Sequence, residues 1–422
     1  MRESGFRGLS HRCSPTSKVP PMRSYGIWLV GACGGVSTTL ACGLSALQRE
    51  AIPPSGLVSS SPIFDGVQLP PLKSLVLGGH EIRDESLVSA ARQIARDNGS
   101  LSIELLETVQ DDLEQIDGRI EPGVLFNSGP AISGLEGLHD QVNFTDPRLA
   151  LERILVDLNR FKEENRLDEV VVVFVASTEP APEPHPAHEV SSKLEEHLAA
   201  GDGTPFLAST LYAMAAARLG CPFLNFTPSP GALLPAIAQL LEEAAVPFMG
   251  SDGKTGETLV KSALAPMFKY RNLKILSWQG YNLLGDRDGE ILAHEANRST
   301  KVASKDQLLR DYLGYPLHSK VTIDYVPSLG DNKTAWDFIH FEGFLGHRMS
   351  LQFTWQGCDS ILAAPLVIDL ARMLLLAKLR QESGPQPHLS LFFKSPFGGD
   401  EHDLHRQFHL LGDYLASARD AS

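Results

Sequence analysis

Three stretches of nearly unbroken apolar residues constrain this chain most: Tyr25-Gly-Ile-Trp-Leu-Val30, Lys73-Ser-Leu-Val-Leu-Gly78 and Glu169-Val-Val-Val-Val-Phe-Val-Ala176. A strand with one wet face alternates polar and apolar residues. Runs without alternation suit parallel strands covered by helices on both faces. The segments between them carry helical signals. Residues 146–164 place Leu149, Leu151, Ile154, Leu155 and Leu158 at helical spacing, and residues 206–219 form a second helix stopped by Gly220. A short strand, Pro222-Phe-Leu-Asn225, follows. Val260, Ala263, Leu264, Met267 and Phe268 then recur at i, i+3, i+4, i+7 and i+8, one face of a further helix. Strand alternating with helix predicts a doubly wound α/β domain.

After about residue 270 the rhythm changes. Val321/Ile323/Tyr325 and Met349/Leu351/Phe353/Trp355 alternate with polar residues, which predicts an antiparallel sheet with one wet or partner-facing side. Residues 361–379 are apolar almost all round. Their 19 positions include Asp369, Arg372 and Lys378, so they predict a buried helix, not a membrane span. Leu389-Ser-Leu-Phe-Phe-Lys394 is expected to be a last strand returning to the first domain. A second apolar run, residues 26–47, has no charge across 22 positions and follows Arg2, Arg7, Arg12, Lys18 and Arg23, as an anchor or signal sequence would. Its glycines and Ser37-Thr-Thr39 weaken that reading, and it resolves into a strand, a glycine turn and a helix start. Residues 1–24, rich in Ser, Pro and Arg, are expected to be a disordered tail.

With 422 residues, two domains or one large elaborated domain are expected. The net charge of −14 excludes general nucleic-acid binding, which needs a basic surface. The five cysteines (13, 33, 42, 221 and 358) include no CxxC pair, as in a reduced cytoplasmic protein. His402, His405 and His409 share helical spacing, and His185 and His188 sit in a proline-rich loop. Neither group has a carboxylate or cysteine to complete a ligand set, so no metal site is expected.

The chemistry concentrates between Met249 and Ser360, about a quarter of the chain, where loops rich in Asp, Lys and Gly interrupt apolar segments. Such loops suit a site that binds phosphate and stabilises negative charge. Gly31-Ala-Cys-Gly-Gly35 follows the first strand and opens a helix, as a dinucleotide turn does. It fits G-x-G-x-x-G imperfectly, with Cys33 and Val36 at the second and third glycine positions, so a plain tight turn is an equal reading. Asp252-Gly-Lys-Thr255 is not a nucleotide-triphosphate loop, because Phe248 stands where the first glycine is required. Thr255, Gly256 and Thr258 at a helix start form either an anion site or a simple capped helix. Lys301 and Lys305 share a helix face, and Lys333 and Lys394 lie at turn and strand ends; for each, a solvated surface lysine is the alternative.

Taken together, these motifs resemble the inositol-3-phosphate synthase (myo-inositol-1-phosphate synthase) family, over roughly residues 25–400 and most closely from Gly250 to Ser360. The resemblance implies a discontinuous Rossmann-like domain with an inserted α+β catalytic and oligomerisation domain. That division places the NAD domain at 25–258, the inserted domain at 259–362 and the returning segment at 363–422. It implies NAD as cofactor, glucose 6-phosphate as substrate, a homotetramer, and a cytoplasmic enzyme with no membrane or nucleic-acid partner. Carried over residue by residue, Gly31, Gly34, Gly35, Val36, Ser37 and Thr38 would hold the pyrophosphate. Glu81 would face the adenosine ribose. Ala176, Ser177, Thr178, Asp252, Asp286, Arg287, Asp288, Gly330, Asp331, Asp359 and Ser360 would line the cofactor. Thr255, Gly256, Glu257 and Thr258 would grip the substrate phosphate, and Lys301, Lys305, Lys333 and Lys394 would be the active-site lysines.

The implied reaction oxidises C5 of the open sugar phosphate, removes a proton from C6, closes the ring by aldol attack on C1 and reduces C5 again. Each oxyanion formed needs a fixed cation, worth roughly 3–4 kcal/mol apiece. In that scheme Lys301 polarises the C5 oxygen, Lys333 and Lys394 stabilise the C1 and C5 oxygens, and Lys305 binds phosphate. Crowding four cations is expected to lower one lysine pKa. The chain departs from the family pattern in Cys33-Gly34-Gly35-Val36, in Asp286-Arg287 where asparagines are common, and at Glu257, often Gln. A carboxylate there repels phosphate unless it turns away. The alternative functions are an ordinary NAD(P)-linked dehydrogenase, which shares the glycine turn, and a metabolite-binding protein without activity.

Overall fold

The computed structural model describes residues 23–285, 289, 312–399 and 401–420. The expected tail lies outside them up to residue 22. So do Asp286, Arg287, Asp288, Lys301 and Lys305.

The apolar runs are strands, as their composition predicts. β1 (Tyr25–Val30), β2 (Leu75–Glu81), β3 (Ile120–Pro122), β4 (Glu169–Phe174), β5 (Phe223–Asn225) and β6 (Pro247–Gly250) form one sheet. Every pairing in it is parallel, in the order β3-β2-β1-β4-β5-β6. Helices Gly35–Gln48, Leu87–Asn98, Ile103–Asp117 and Asp359–Leu379 contribute to the core on one face. Pro147–Glu164, Ser191–Ala200, Ala208–Leu219 and Pro235–Glu243 cover the other. The chain order reverses between β1 and β4, and ligands of open α/β sheets bind at the carboxyl ends of strands flanking such a point. Local signals operate as expected: Asp146 caps its helix by accepting from the Arg148 N–H, and Gly220 ends another at φ 65°.

β7 (Lys274–Leu284), β8 (His318–Tyr325), β9 (Asn332–Glu342) and β10 (Arg348–Cys358) form a second sheet, ordered β10-β9-β7-β8. The expectation of a wholly antiparallel sheet is corrected here, because β8 runs parallel to β7. A period of two reports the wet face and says nothing of strand direction. Helix Gly256–Tyr270 packs on the inner face, through Ala265 and Phe268 against Ile275, Trp278 and Ile339. Its buried side is not the predicted apolar one: Met267 is 41% exposed while Lys261 is 2% exposed. The helix is rotated because Glu257 and Lys261 turn inward as an ion pair.

Helix Asp359–Leu379 is apolar and long enough to cross a membrane, yet it lies in the core, its Val367, Ile368 and Leu374 clustered with Leu40 and Leu44 of the first helix. After it the chain rejoins the first sheet as β11 (Gly384–Pro385), beside β6. The expected strand at 389–394 is instead a 3-10 turn, Pro387–Phe392. Pro385 and Pro387 lack the N–H groups a continued ladder needs.

Candidate active site

A cavity of about 710 Å³ opens at the carboxyl ends of β1, β2 and β4 and continues to the edge of the second sheet. Two helix starts face it. At the first, Gly31 turns the chain at φ 90°, and a Cβ there would stand 2.9 Å from the Ala176 Cα. The Gly31 and Ala32 N–H groups donate to the His80 carbonyl at 2.9 and 3.0 Å, closing the turn onto β2. Helix Gly35–Gln48 follows with no side-chain cap among the described residues, and Gly34, Gly35 and Val36 line the cavity. Ser37 and Thr38 lie behind them, buried, with hydroxyls that have no partner among the described residues. Unpaired N–H groups and hydroxyls at a helix start are what a pyrophosphate satisfies, so the turn fits NAD. That arrangement favours the cofactor reading over a plain turn.

Glu81 lines the same cavity, and its carboxylate is a hub. Oε2 accepts from the Cys33 N–H at 2.9 Å, and Oε1 from the Ile82 and Arg83 N–H groups at 3.0 and 3.1 Å. The residue assigned to the ribose thus also fixes the glycine turn to the end of β2. The Arg83 guanidinium lies 3.3 Å from Glu81 and donates to the Cys33 carbonyl.

The second start is helix Gly256–Tyr270, N-capped by Thr255 without a side-chain hydrogen bond among the described residues. A start without a side-chain cap is one whose N–H groups an anion can satisfy. Thr255 and Thr258 line the cavity; Gly256 and Glu257 do not. The Glu257 carboxylate turns away, against Lys261, leaving its backbone on the loop.

Two of the four predicted lysines are described, and both reach the cavity. Lys394 gets there by backbone pairing: its N–H donates to the Asp252 carbonyl at 2.8 Å, and the Lys254 N–H donates to Phe392 at 2.7 Å. Its Nζ then lies 2.6 Å from Asp252 Oδ1. Lys333, on the inner face of β9, holds Nζ 3.0 Å from Asp359 Oδ2. Each ammonium is thus positioned by a carboxylate; the two are not simply crowded together. The lysine pushed down, to about 7, is Lys254. Burial is the cause, and its Nζ donates to Gln407 at 2.7 Å, away from the cavity lining.

Asp331 ties the two halves together. It accepts from the Cys358 thiol at 2.7 Å and from the Ser360 hydroxyl, and Thr39 on the first helix donates to Ser360 at 3.2 Å. Ala176, Ser177, Thr178, Gly330, Asp331, Asp359 and Ser360 all line the cavity. Sequence reasoning passed over Glu179. It also lines the cavity, is 2% exposed, and burial raises its carboxyl to about 7. Its Oε1 accepts from the Ser209 N–H at 3.1 Å, and its Oε2 has no partner among the described residues. Its place directly after Ala176-Ser-Thr178 was the available signal.

A family model described as myo-inositol-1-phosphate synthase matches residues 25–415. The chain is similar to inositol-3-phosphate synthase 1 of Bacteroides thetaiotaomicron, 32% identical over 419 residues that cover 94% of this chain and 96% of that one. It is 29% identical to the inositol-3-phosphate synthase of Dictyostelium discoideum, covering 84% of this chain and 74% of the relative. Its fold superposes on the crystal structure of inositol-3-phosphate synthase from Caenorhabditis elegans with a TM-score of 0.82, at 23% identity, over 95% of this chain and 87% of the other.

Proposed function

The chain belongs to the myo-inositol-1-phosphate synthase family, and we propose that it is an isomerase converting D-glucose 6-phosphate to 1D-myo-inositol 3-phosphate through the residues gathered around this cavity. The observation that carries the assignment of roles is convergence. An uncapped helix start for a phosphate ester, an uncapped helix start for a pyrophosphate and two carboxylate-held lysines all border one space.

NAD, held by the glycine turn at residues 34–38, would supply hydride chemistry at C5 of the open-chain sugar, the hydride taken up from C5 being the one returned to it, so that no net oxidation results. The chain's own residues do the rest. Backbone N–H groups of residues 34–36 face the pyrophosphate, and the Ser37 and Thr38 hydroxyls stand behind them. Thr255 and Thr258, with the N–H groups of the helix start, hold the sugar's phosphate and so place its carbon chain between the lysines. The Lys333 and Lys394 ammonium groups donate to the C1 and C5 oxygens while those carry negative charge during ring closure. Asp252 and Asp359 keep each ammonium in place, so little reorganisation accompanies the step. Lys301 and Lys305 complete this scheme as polariser of the C5 oxygen and phosphate ligand.

One face of the second sheet, left uncovered among the described residues, carries Tyr281, Trp336, Phe338 and His340 stacked in a row. Tyr281 and Trp336 are 42% and 38% exposed. We assign this face to the contact between copies in a homotetramer; light scattering on Trp336→Lys is expected to show smaller particles. The four described cysteines are all free, in keeping with a cytoplasmic protein. The activity is tested by incubating the protein with glucose 6-phosphate and NAD and identifying the product by NMR. An inositol monophosphate is expected, and a gluconate or unchanged sugar rejects the assignment.

A further inference from the structure

The end of β2 carries an arrangement that no step above uses. Glu81, the residue that the family resemblance places at the adenosine ribose, is followed two positions later by Arg83 and then by Glu85. All three line the cavity. Their side chains are only 4%, 11% and 16% exposed, so their charges are held largely away from water.

Arg83 is a bridge. Its Nε lies 3.3 Å from Glu81 Oε1, one Nη donates to Glu85 Oε2, and the other donates to the Cys33 carbonyl at 3.2 Å. Each of its three nitrogens thus has an acceptor, on β2, on the loop after it or on the glycine turn. Glu81 Oε1 is crowded as well, since the Ile82 and Arg83 N–H groups donate to it. Glu81 Oε2 is not: among the described residues it accepts the Cys33 N–H alone, at 2.9 Å, which leaves it a lone pair.

In a dinucleotide fold an acidic residue at this place accepts a hydrogen bond from the ribose 2′-hydroxyl, whereas an arginine nearby receives a 2′-phosphate. This chain has both residues on one wall, so its choice depends on which group is available. The carboxylate has its lone pair. The guanidinium binds phosphate best as a two-pronged fork, and here each nitrogen of the fork is already turned to an acceptor. The local field points the same way. The Cys33 thiol, on the adjoining turn, is pushed up by burial first and then by Glu81 and Asp117, with Glu85 adding to the rise and Arg83 opposing it. A second phosphate arriving at this edge of the turn meets carboxylates as well as the guanidinium.

We propose that Arg83 is the specificity-determining residue for the 2′ position of the adenosine ribose. Glu81 and Glu85 hold its guanidinium back, so that the site accepts a 2′-hydroxyl and refuses a 2′-phosphate. This rests on the reading of the glycine turn as the cofactor site. The two carboxylates divide the task. Glu81 receives the hydroxyl and also fixes the turn, so its loss damages binding of either form. Glu85 acts through the guanidinium, so its replacement frees a nitrogen and leaves the contact between Glu81 and the turn in place.

Titration calorimetry of the full chain with NAD and with NADP, in the absence of glucose 6-phosphate, reads the preference apart from turnover. The ratio of the two dissociation constants is the readout, so a general loss from a loosened turn cancels. The parent is expected to bind NAD, and to bind NADP roughly tenfold more weakly or worse. Glu85→Gln is expected to narrow the ratio about tenfold, the worth of one hydrogen bond to a charged group. Glu85→Ala, which keeps no acceptor for the guanidinium, is expected to move it at least as far. Adding Arg83→Ala to either variant is expected to restore the parent's preference, which separates a freed guanidinium from the mere removal of a repelling carboxylate.

A ratio that neither Glu85 variant moves, or a gain that survives the loss of Arg83, overturns the proposal. A parent that binds both dinucleotides equally overturns it too and leaves the cofactor reading standing. A parent that binds neither contradicts the cofactor reading itself, and the proposal falls with it.

Discussion

Two helix starts face one cavity, and they are built on opposite footings. The start at Gly35 has no acidic residue in its first turn and is backed by buried hydroxyls and apolar side chains. The start at Gly256 carries Glu257 in its first turn and is backed by a buried charged cluster. Both leave backbone N–H groups without a side-chain cap, so both attract anions. The first presents those N–H groups in front of the neutral Ser37 and Thr38 hydroxyls. The second presents them above a buried ion pair of Glu257 and Lys261. A permanently charged cofactor and a sugar phosphate that must enter and leave at each turnover suit these two designs.

The largest expected effect breaks the chemistry and spares both anion sites. Lys394→Ala or Lys333→Ala removes a cation from the reacting oxygens, and kcat is expected to fall roughly 10²–10³-fold. NAD affinity, followed by fluorescence titration, should stay near that of the parent; equal loss of both means that the lysine shapes the cofactor site instead. Next comes a change that damages the first start alone. Gly31→Ala forces an L residue to φ 90° against the Ala176 Cα, a strain of about 1–3 kcal/mol. NAD binding should weaken markedly, while sulfate binding at the second start stays within twofold. The smallest effect separates substrate holding from chemistry. Thr258→Ala removes one hydroxyl from the second start, and KM for glucose 6-phosphate is expected to rise about tenfold, for roughly 1–1.5 kcal/mol. A fall in kcat with unchanged KM contradicts that role.

The same contrast explains what could be read from sequence. The parallel sheet was legible because its signals are local: four consecutive valines in β4, a glycine turn after β1, Gly220 at a helix end. The motifs that reach the cavity were legible as motifs, through resemblance, and the carboxylate partners Asp252 and Asp359 were named beside them. The pairing itself was not legible, since Lys394 meets Asp252 across 142 positions. Nor was the rotation of helix Gly256–Tyr270. Hydrophobic periodicity assumes that lysine faces water, and here Lys261 is buried because two carboxylates on different elements await it. The segment 389–394 has the composition of a strand, but Pro385 and Pro387 just before it lack the N–H groups a continued ladder needs, and the chain turns there instead.

In the proposed reaction both anion sites and the lysines between them serve a single redox-neutral turnover. Following absorbance at the NADH band during reaction with glucose 6-phosphate and substoichiometric NAD tests this directly. The prediction is many equivalents of inositol phosphate per NAD with no net NADH. NADH accumulating in step with product, or turnover that stops after one equivalent of cofactor, contradicts it and identifies an ordinary dehydrogenase.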